Sequence, residues 1–187
     1  MRRRSPTIKP RTPVFLGCEG ESEQSYGQFL NDVLNEKRLP FHIEVVNLSP
    51  GAGDPRTRLI RAHKEINKRA RNRIEFRYMA VLMDSDQIDG DAGQREELEA
   101  DALARQIAII WQSPCHEAFL LNHFEGCVDS APPTSNLALR ELRRVWPEYV
   151  KPMTRQQLRQ KIGFEDAVRL SRRLPSLSQF LQNVSLI

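Results

Sequence analysis

The chain has 187 residues, 40% of them hydrophobic and 28% charged, which suffices for one α/β domain or one domain with a helical extension. No run approaches the ~18 apolar residues of a membrane-spanning helix. Met1-Arg2-Arg3-Arg4-Ser5-Pro6 is basic with no apolar segment behind it, so neither a membrane protein nor a secretory leader is expected and the reading is cytoplasmic.

In chain order, residues 1–13, with three prolines and five Lys or Arg, read as a flexible basic arm. Residues 14–18 are a short apolar run, the pattern of a buried central strand. Ser22 is placed to cap a helix over about 23–37 whose apolar stripe is Tyr26, Phe29, Leu30, Val33 and Leu34. A second strand is expected over 41–48. The loop Ser49-Pro50-Gly51-Ala52-Gly53-Asp54-Pro55 follows, then a long helix from 56 to about 72. Residues 78–83 read as the third strand, followed by an acidic loop to about 93, a helix over 94–104 and a fourth strand over 107–111. Pro114 opens a helix to about 124. After Pro132-Pro133 the pattern is purely helical, over 136–145, 154–161, 164–174 and 176–184. This alternation predicts an α/β, Rossmann-like, mainly parallel sheet of about four strands flanked by helices. Its core would be 14–130, with 131–187 a basic helical extension packed on it.

The net charge of +4 is unevenly spread. Residues 56–77 hold nine Lys or Arg against two Glu, residues 84–101 eight acids against Arg95, and residues 136–187 ten Lys or Arg against four acids. An acidic island between basic segments suits a cation site facing a polyanion, although Arg-rich helices are about as often plain solvated faces. Cys18, Cys115 and Cys127 lack CxxC spacing and read as reduced thiols, not zinc ligands.

Two of the expected strands end on acids: Glu19-Gly20-Glu21-Ser22-Glu23 after the first and Asp84-Ser85-Asp86 after the third. Ligands of open α/β sheets sit outside the carboxyl ends of the strands. Glu19, Glu23, Asp84 and Asp86 are therefore expected to meet at one sheet edge, and oxygen-only clusters suit Mg²⁺ or Mn²⁺. Any one of these acids alone would more simply be a solvated loop residue; the two clusters together favour the metal. Glu23 lies four residues after Glu19 and can point back from the first helical turn, while Gly20 keeps that turn tight. Asp84 and Asp86, two apart, face the same side if the chain stays extended. Two hard cations about 3.5–4 Å apart, held by such acids, would stabilise both oxygens of a phosphodiester displacement. Asp89 and Asp91 are lesser candidates deeper in the loop.

The ordered set Cys18-Glu19-Gly20-Glu21-Ser22-Glu23 with Tyr26, then Gly53-Asp54-Pro55, Asp84-Ser85-Asp86, and Ser113-Pro114-Cys115-His116-Glu117-Ala118-Phe119-Leu120-Leu121-Asn122-His123-Phe124 resembles RloB-like proteins, small bacterial proteins of restriction and phage-defence loci. The Glu-Gly turn followed by Asp-x-Asp is similar to the Toprim fold of topoisomerases, primases and overcoming-lysogenization-defect nucleases. The resemblance spans most of residues 14–125. It implies a Toprim-like core with Glu19, Glu23, Asp84 and Asp86 as metal ligands or general acid/base groups. It also implies a role in defence against foreign nucleic acid, with an ATPase or restriction-system subunit as a partner to consider.

Glu117 reads either as a further metal ligand or supporting base, or as a helix N-terminal acid favoured by the macrodipole. His123 reads as a satisfied, half-buried histidine, and Trp111 and Trp146 as core. Arg56 and Arg58 beside the Gly loop are candidate phosphate contacts, as are Arg159, Lys161, Arg169, Arg172 and Arg173. The leading expectation is a Mg²⁺- or Mn²⁺-dependent nuclease of the Toprim class acting on DNA or RNA. The alternatives are a non-catalytic nucleic-acid sensor or scaffold working through a partner, and a metal-dependent enzyme acting on free nucleotides.

Overall fold

Four short apolar segments form the strands: β1 (Thr12–Cys18), β2 (Phe41–Asn47), β3 (Met79–Asp84) and β4 (Ala108–Gln112). In the computed structural model, which describes residues 10–49, 53–88, 90 and 92–187, they make one all-parallel sheet in the order β2-β1-β3-β4. Residues 1–9 of the expected basic arm, residues 50–52 of the Gly loop, and Asp89 and Asp91 lie outside the described residues. Thr12 and Pro13, expected in the arm, belong to β1, where the Thr12 N–H donates to Pro40 O at 2.7 Å.

The side-chain period of two divides the core between two faces. Val14, Leu16 and Cys18 of β1, Ala80 and Leu82 of β3 and Ile110 of β4 pack into one cluster. Phe15, Val81, Met83, Ile109 and Trp111 pack into the other. On the first face lies α1 (Glu21–Glu36), whose stripe Tyr26, Phe29, Leu30, Val33 and Leu34 is buried as its spacing requires. On the second lie α2 (Pro55–Arg71) and α3 (Ala92–Ala104), through Leu59, Ala62, Ile66, Leu98 and Ala102. Asp54 caps α2, accepting the Thr57 N–H at 3.0 Å, and Pro55 fills the first helical position.

The N-cap of α1 is Gly20, not Ser22. Tertiary structure engages the Ser22 hydroxyl elsewhere, where it accepts the Met153 N–H at 3.2 Å, while Ser25 Oγ donates to Met153 O at 2.6 Å. After β4, the helix expected from Pro114 starts two residues later as α4 (His116–Leu121) and ends at Asn122. The remaining helices are α5 (Ser135–Val145), α6 (Arg155–Lys161), α7 (Phe164–Ser171) and α8 (Pro175–Asn183). They pack on the α1 face, and Leu142, Trp146, Tyr149, Leu158, Leu170, Leu177 and Phe180 share one cluster with Leu16 and Tyr26. The extension thus supplies a large share of the core on that face, each fully buried Leu or Phe contributing about 1.5–3 kcal/mol.

Candidate functional site

The chain passes from β1 outward to β2 and then crosses to β3 on the other side of β1, so the carboxyl ends of β1 and β3 flank the topological switch point. Glu19 leaves β1 there and Asp84 ends β3 there. The Asp84 N–H points at Glu19 Oε2, 3.4 Å away. Glu23, in the first turn of α1, is 3% exposed and faces the same opening. The result is a cleft of about 330 Å³ lined by Glu19, Gly20, Ser22, Glu23, Asp84 and Lys151. Gly20 leaves room at its floor, where a Cβ would sit 3.0 Å from Glu23 Oε2 and push that carboxylate aside.

Beyond Asp84 the chain is not extended as expected. The Ser85 and Asp86 N–H groups both donate to Pro114 O, at 3.1 and 3.0 Å, and the backbone turns. Ser85 is buried and Asp86 is swung to the rim, where its Oδ2 accepts from Ser135 Oγ at 3.1 Å. Asp86 still adds to the negative field on Asp84. Glu117 enters from α4, 5% exposed, accepting from Tyr149 Oη at 3.0 Å and from Lys151 Nζ at 2.8 Å.

The electrostatics follow from crowding like charges into a partly dry space. Burial pushes the Asp84 carboxyl up to about 9, helped by Glu19, Glu23, Asp86 and Glu117. Burial also raises Glu19, against the opposing pull of Arg58. For Glu117 burial pushes upward, but the Lys151 ammonium, His116 and the Tyr149 hydroxyl together hold the carboxyl below its usual range. Asp84 Oδ1 is buried with no hydrogen-bond partner among the described residues. Behind the acids, Gln112 Nε2 sits 2.9 Å from His116 Nδ1, and burial lowers the His116 pKa.

Among the described residues, no group of three or more His, Cys, Asp or Glu is closed around a point that would hold a metal ion. Two cations hold the acids apart: Arg58 Nη2 lies 2.5 Å from Glu19 Oε1, and Lys151 sits on Glu117. The donor chemistry nevertheless suits a hard cation, being all carboxylate, electrostatically strained and with one orphaned oxygen on Asp84. Glu19, Glu23 and Asp84 would hold it, with Asp86 and Glu117 at the edges.

The expected phosphate contacts are scattered. Arg58 is buried against Glu19, while Arg56 pairs with Glu97, Arg159 with Asp32 and Glu36, Lys161 with Glu148, and Arg173 with Asp129. Arg169 pairs with Asp166, and Arg172 is exposed. His123, expected half-buried, is fully buried and satisfied: Nδ1 is 2.9 Å from Phe119 O and Nε2 is 3.1 Å from the Tyr26 hydroxyl. Trp111 and Trp146 are buried. Lys151 and Tyr149 escaped the sequence reading, because 128 or more residues separate their segment from the α1 turn it packs on.

Fold and site together define an α/β protein with a Rossmann-like parallel sheet and a cluster of acids at its switch point. The family model described as RloB-like protein matches residues 14–183, most of the chain, so the chain belongs to the RloB-like family. No curated protein and no solved structure matches it. Among the described residues, no helix is long and apolar enough to cross a membrane.

Proposed function

We propose that the protein is a Mg²⁺- or Mn²⁺-dependent nuclease of the Toprim class, cleaving phosphodiester bonds of DNA or RNA in defence against phage or foreign nucleic acid. The observation that carries this reading is the switch-point cluster, in which Asp84 is pushed up to about 9 by burial and four neighbouring acids. Such a cluster is costly unless positive charge joins it. The defence role rests on the resemblance to proteins of restriction and phage-defence loci.

In hydrolysis a water oxygen bonds to phosphorus, the bond to the leaving oxygen breaks, and that oxygen takes a proton. Glu19, Glu23 and Asp84 would hold a divalent cation, which would supply Lewis-acid polarisation of the phosphoryl oxygens. Glu19, oriented by Arg58 and by the Asp84 N–H, takes the proton from water. Glu23 and Asp84 line the floor of the cleft, and Gly20 leaves the backbone open to the phosphate.

The test is purified protein with Mn²⁺ or Mg²⁺ against duplex DNA, single-stranded DNA and tRNA. Wild type is expected to cleave at least one of them, and Glu19→Gln none. A second reading, a non-catalytic nucleic-acid sensor acting through a partner, is favoured by one observation: Arg58 and Lys151 already neutralise Glu19 and Glu117 without a metal. Absence of metal-dependent cleavage across the panel, with cell extract added as a source of an ATPase or restriction-system subunit, selects it.

A further inference from the structure

An acidic cleft repels a phosphodiester unless a cation is available to meet it. Arg58 does not serve, because its side chain is 8% exposed and engaged with Glu19. Lys151 is also paired with an acid, Glu117, but differs in exposure. It lines the cleft, its side chain is 58% exposed, and it comes from the far end of the chain. An ammonium has three donors, and the structure commits one of them, to Glu117 Oε1 at 2.8 Å.

The segment carrying Lys151 is fixed on both sides. Tyr149 is 1% exposed and its hydroxyl is tied to Glu117 at 3.0 Å. Met153 is 2% exposed and is clamped to the first two turns of α1 through Ser22 and Ser25. Residues 149–153 therefore form a strap across the rim of the cleft. Its buried ends set the position of the backbone, and its exposed lysine lines the cleft with one described contact, to Glu117.

We infer that Lys151 is the phosphate-binding cation of this cleft, delivered by the strap from the C-terminal extension, so that the site is composite between the sheet edge and that extension. The inference rests on the phosphodiester reading of the cleft. The ammonium spans Glu117 and a non-bridging phosphate oxygen, offsetting the repulsion of Glu19, Glu23 and Asp84 and orienting the phosphate over the floor.

Lys151→Met removes the charge and keeps the aliphatic stem, and Lys151→Arg restores a cation. Because Lys151→Met also strands Glu117, it is compared as Lys151→Met with Glu117→Gln against Glu117→Gln alone. With Mn²⁺, the loss of Lys151 is expected to lower kcat/KM by about 10²-fold, the scale for removing one fixed donor from a developing charge, with Lys151→Arg recovering most of it. In parallel, a fluorescein-labelled single-stranded oligonucleotide is titrated by anisotropy in Ca²⁺ over a range of salt. The salt slope should fall by about 0.7, one contact on a single strand.

A kcat/KM within threefold of the Glu117→Gln background, or an unchanged salt slope, overturns the assignment. If wild type cleaves nothing, the nuclease reading fails alone, and the anisotropy arm still decides whether Lys151 holds a phosphate. Ser22→Ala with Ser25→Ala loosens the strap without touching charge. Loss of activity there with the salt slope retained is expected, because the cation remains but is no longer held over the floor. A slope lost equally there would overturn the specific role of the ammonium.

Discussion

Arg58 reaches from the first turn of α2 to Glu19 at the end of β1, Nη2 to Oε1 at 2.5 Å, with only 8% and 20% of the two side chains exposed. Neither charge is easily served by water when the other is missing. Arg58→Met is expected to lower stability by about 3 kcal/mol, the scale for breaking a buried pair from one side. Adding Glu19→Gln should recover most of that loss. Urea titration of the four proteins in metal-free buffer measures the coupling, and a single-mutant loss below about 0.5 kcal/mol would place the pair among solvent-screened ones.

Divalent metal is expected to raise the Tm, because a ligand that binds only the folded state adds stability with its concentration. Asp84→Asn with Asp86→Asn should abolish that increment while raising the Tm of the metal-free protein, since two of the mutually repelling acids are gone. An undiminished Mn²⁺ shift in the double variant would place the metal elsewhere.

Acid stability should depend on His123, which burial holds down to about 4 against an unfolded value of 6.5. Between these values the unfolded chain binds a proton that the folded one does not. Stability is therefore full above pH 6.5 and is lost as pH falls toward 4, by about 1.4 kcal/mol per unit. Asp84 acts in the opposite direction between about 4 and 9, and is common to both proteins in the comparison. Wild type should thus lose more stability than His123→Gln from pH 6.5 to 4.5 in urea titrations. Parallel curves would mean that the imidazole is solvated.

Ion pairing sorts the arginines. Arg140, Arg143 and Arg144 lie on the exposed side of α5, opposite buried Ala138 and Leu142, and Ser135 ties the start of that helix to Asp86. Charge reversal at Arg143 and Arg144 is expected to weaken oligonucleotide binding and lower its salt slope with little change in Tm. Arg159→Glu, which breaks contacts to Asp32 and Glu36, should change the Tm more than the affinity. The reverse ranking would move the binding face to α6.

Strand ends carry much of what could be read in advance. The parallel sheet, the burial of the α1 stripe and the arrival of Glu19 and Asp84 at one edge follow from apolar runs that stop on acids. Ser22 and Asp86 show where local rules give way. A serine four residues before a helical stripe has the composition of a cap, yet the backbone of Met153 uses its hydroxyl; a DxD pair looks extended until Pro114 O draws two consecutive N–H groups into a turn. Lys151 left no local signal, because its meaning comes from the residue it lands beside.

The strap joins residues synthesised far apart. Ser22 and Met153 are 131 positions distant in the chain, and Trp146, Tyr149 and Phe180 complete the layer that covers α1. On the ribosome the acids of β1 emerge early and the lysine that faces them late, with further core residues behind it. An RloB-like chain interrupted before that point would keep Arg58 on Glu19 but would carry Glu117 without its lysine and α1 without the layer that seals it. The order of synthesis thus delays the finished cleft until the helices that follow Lys151 can pack on α1.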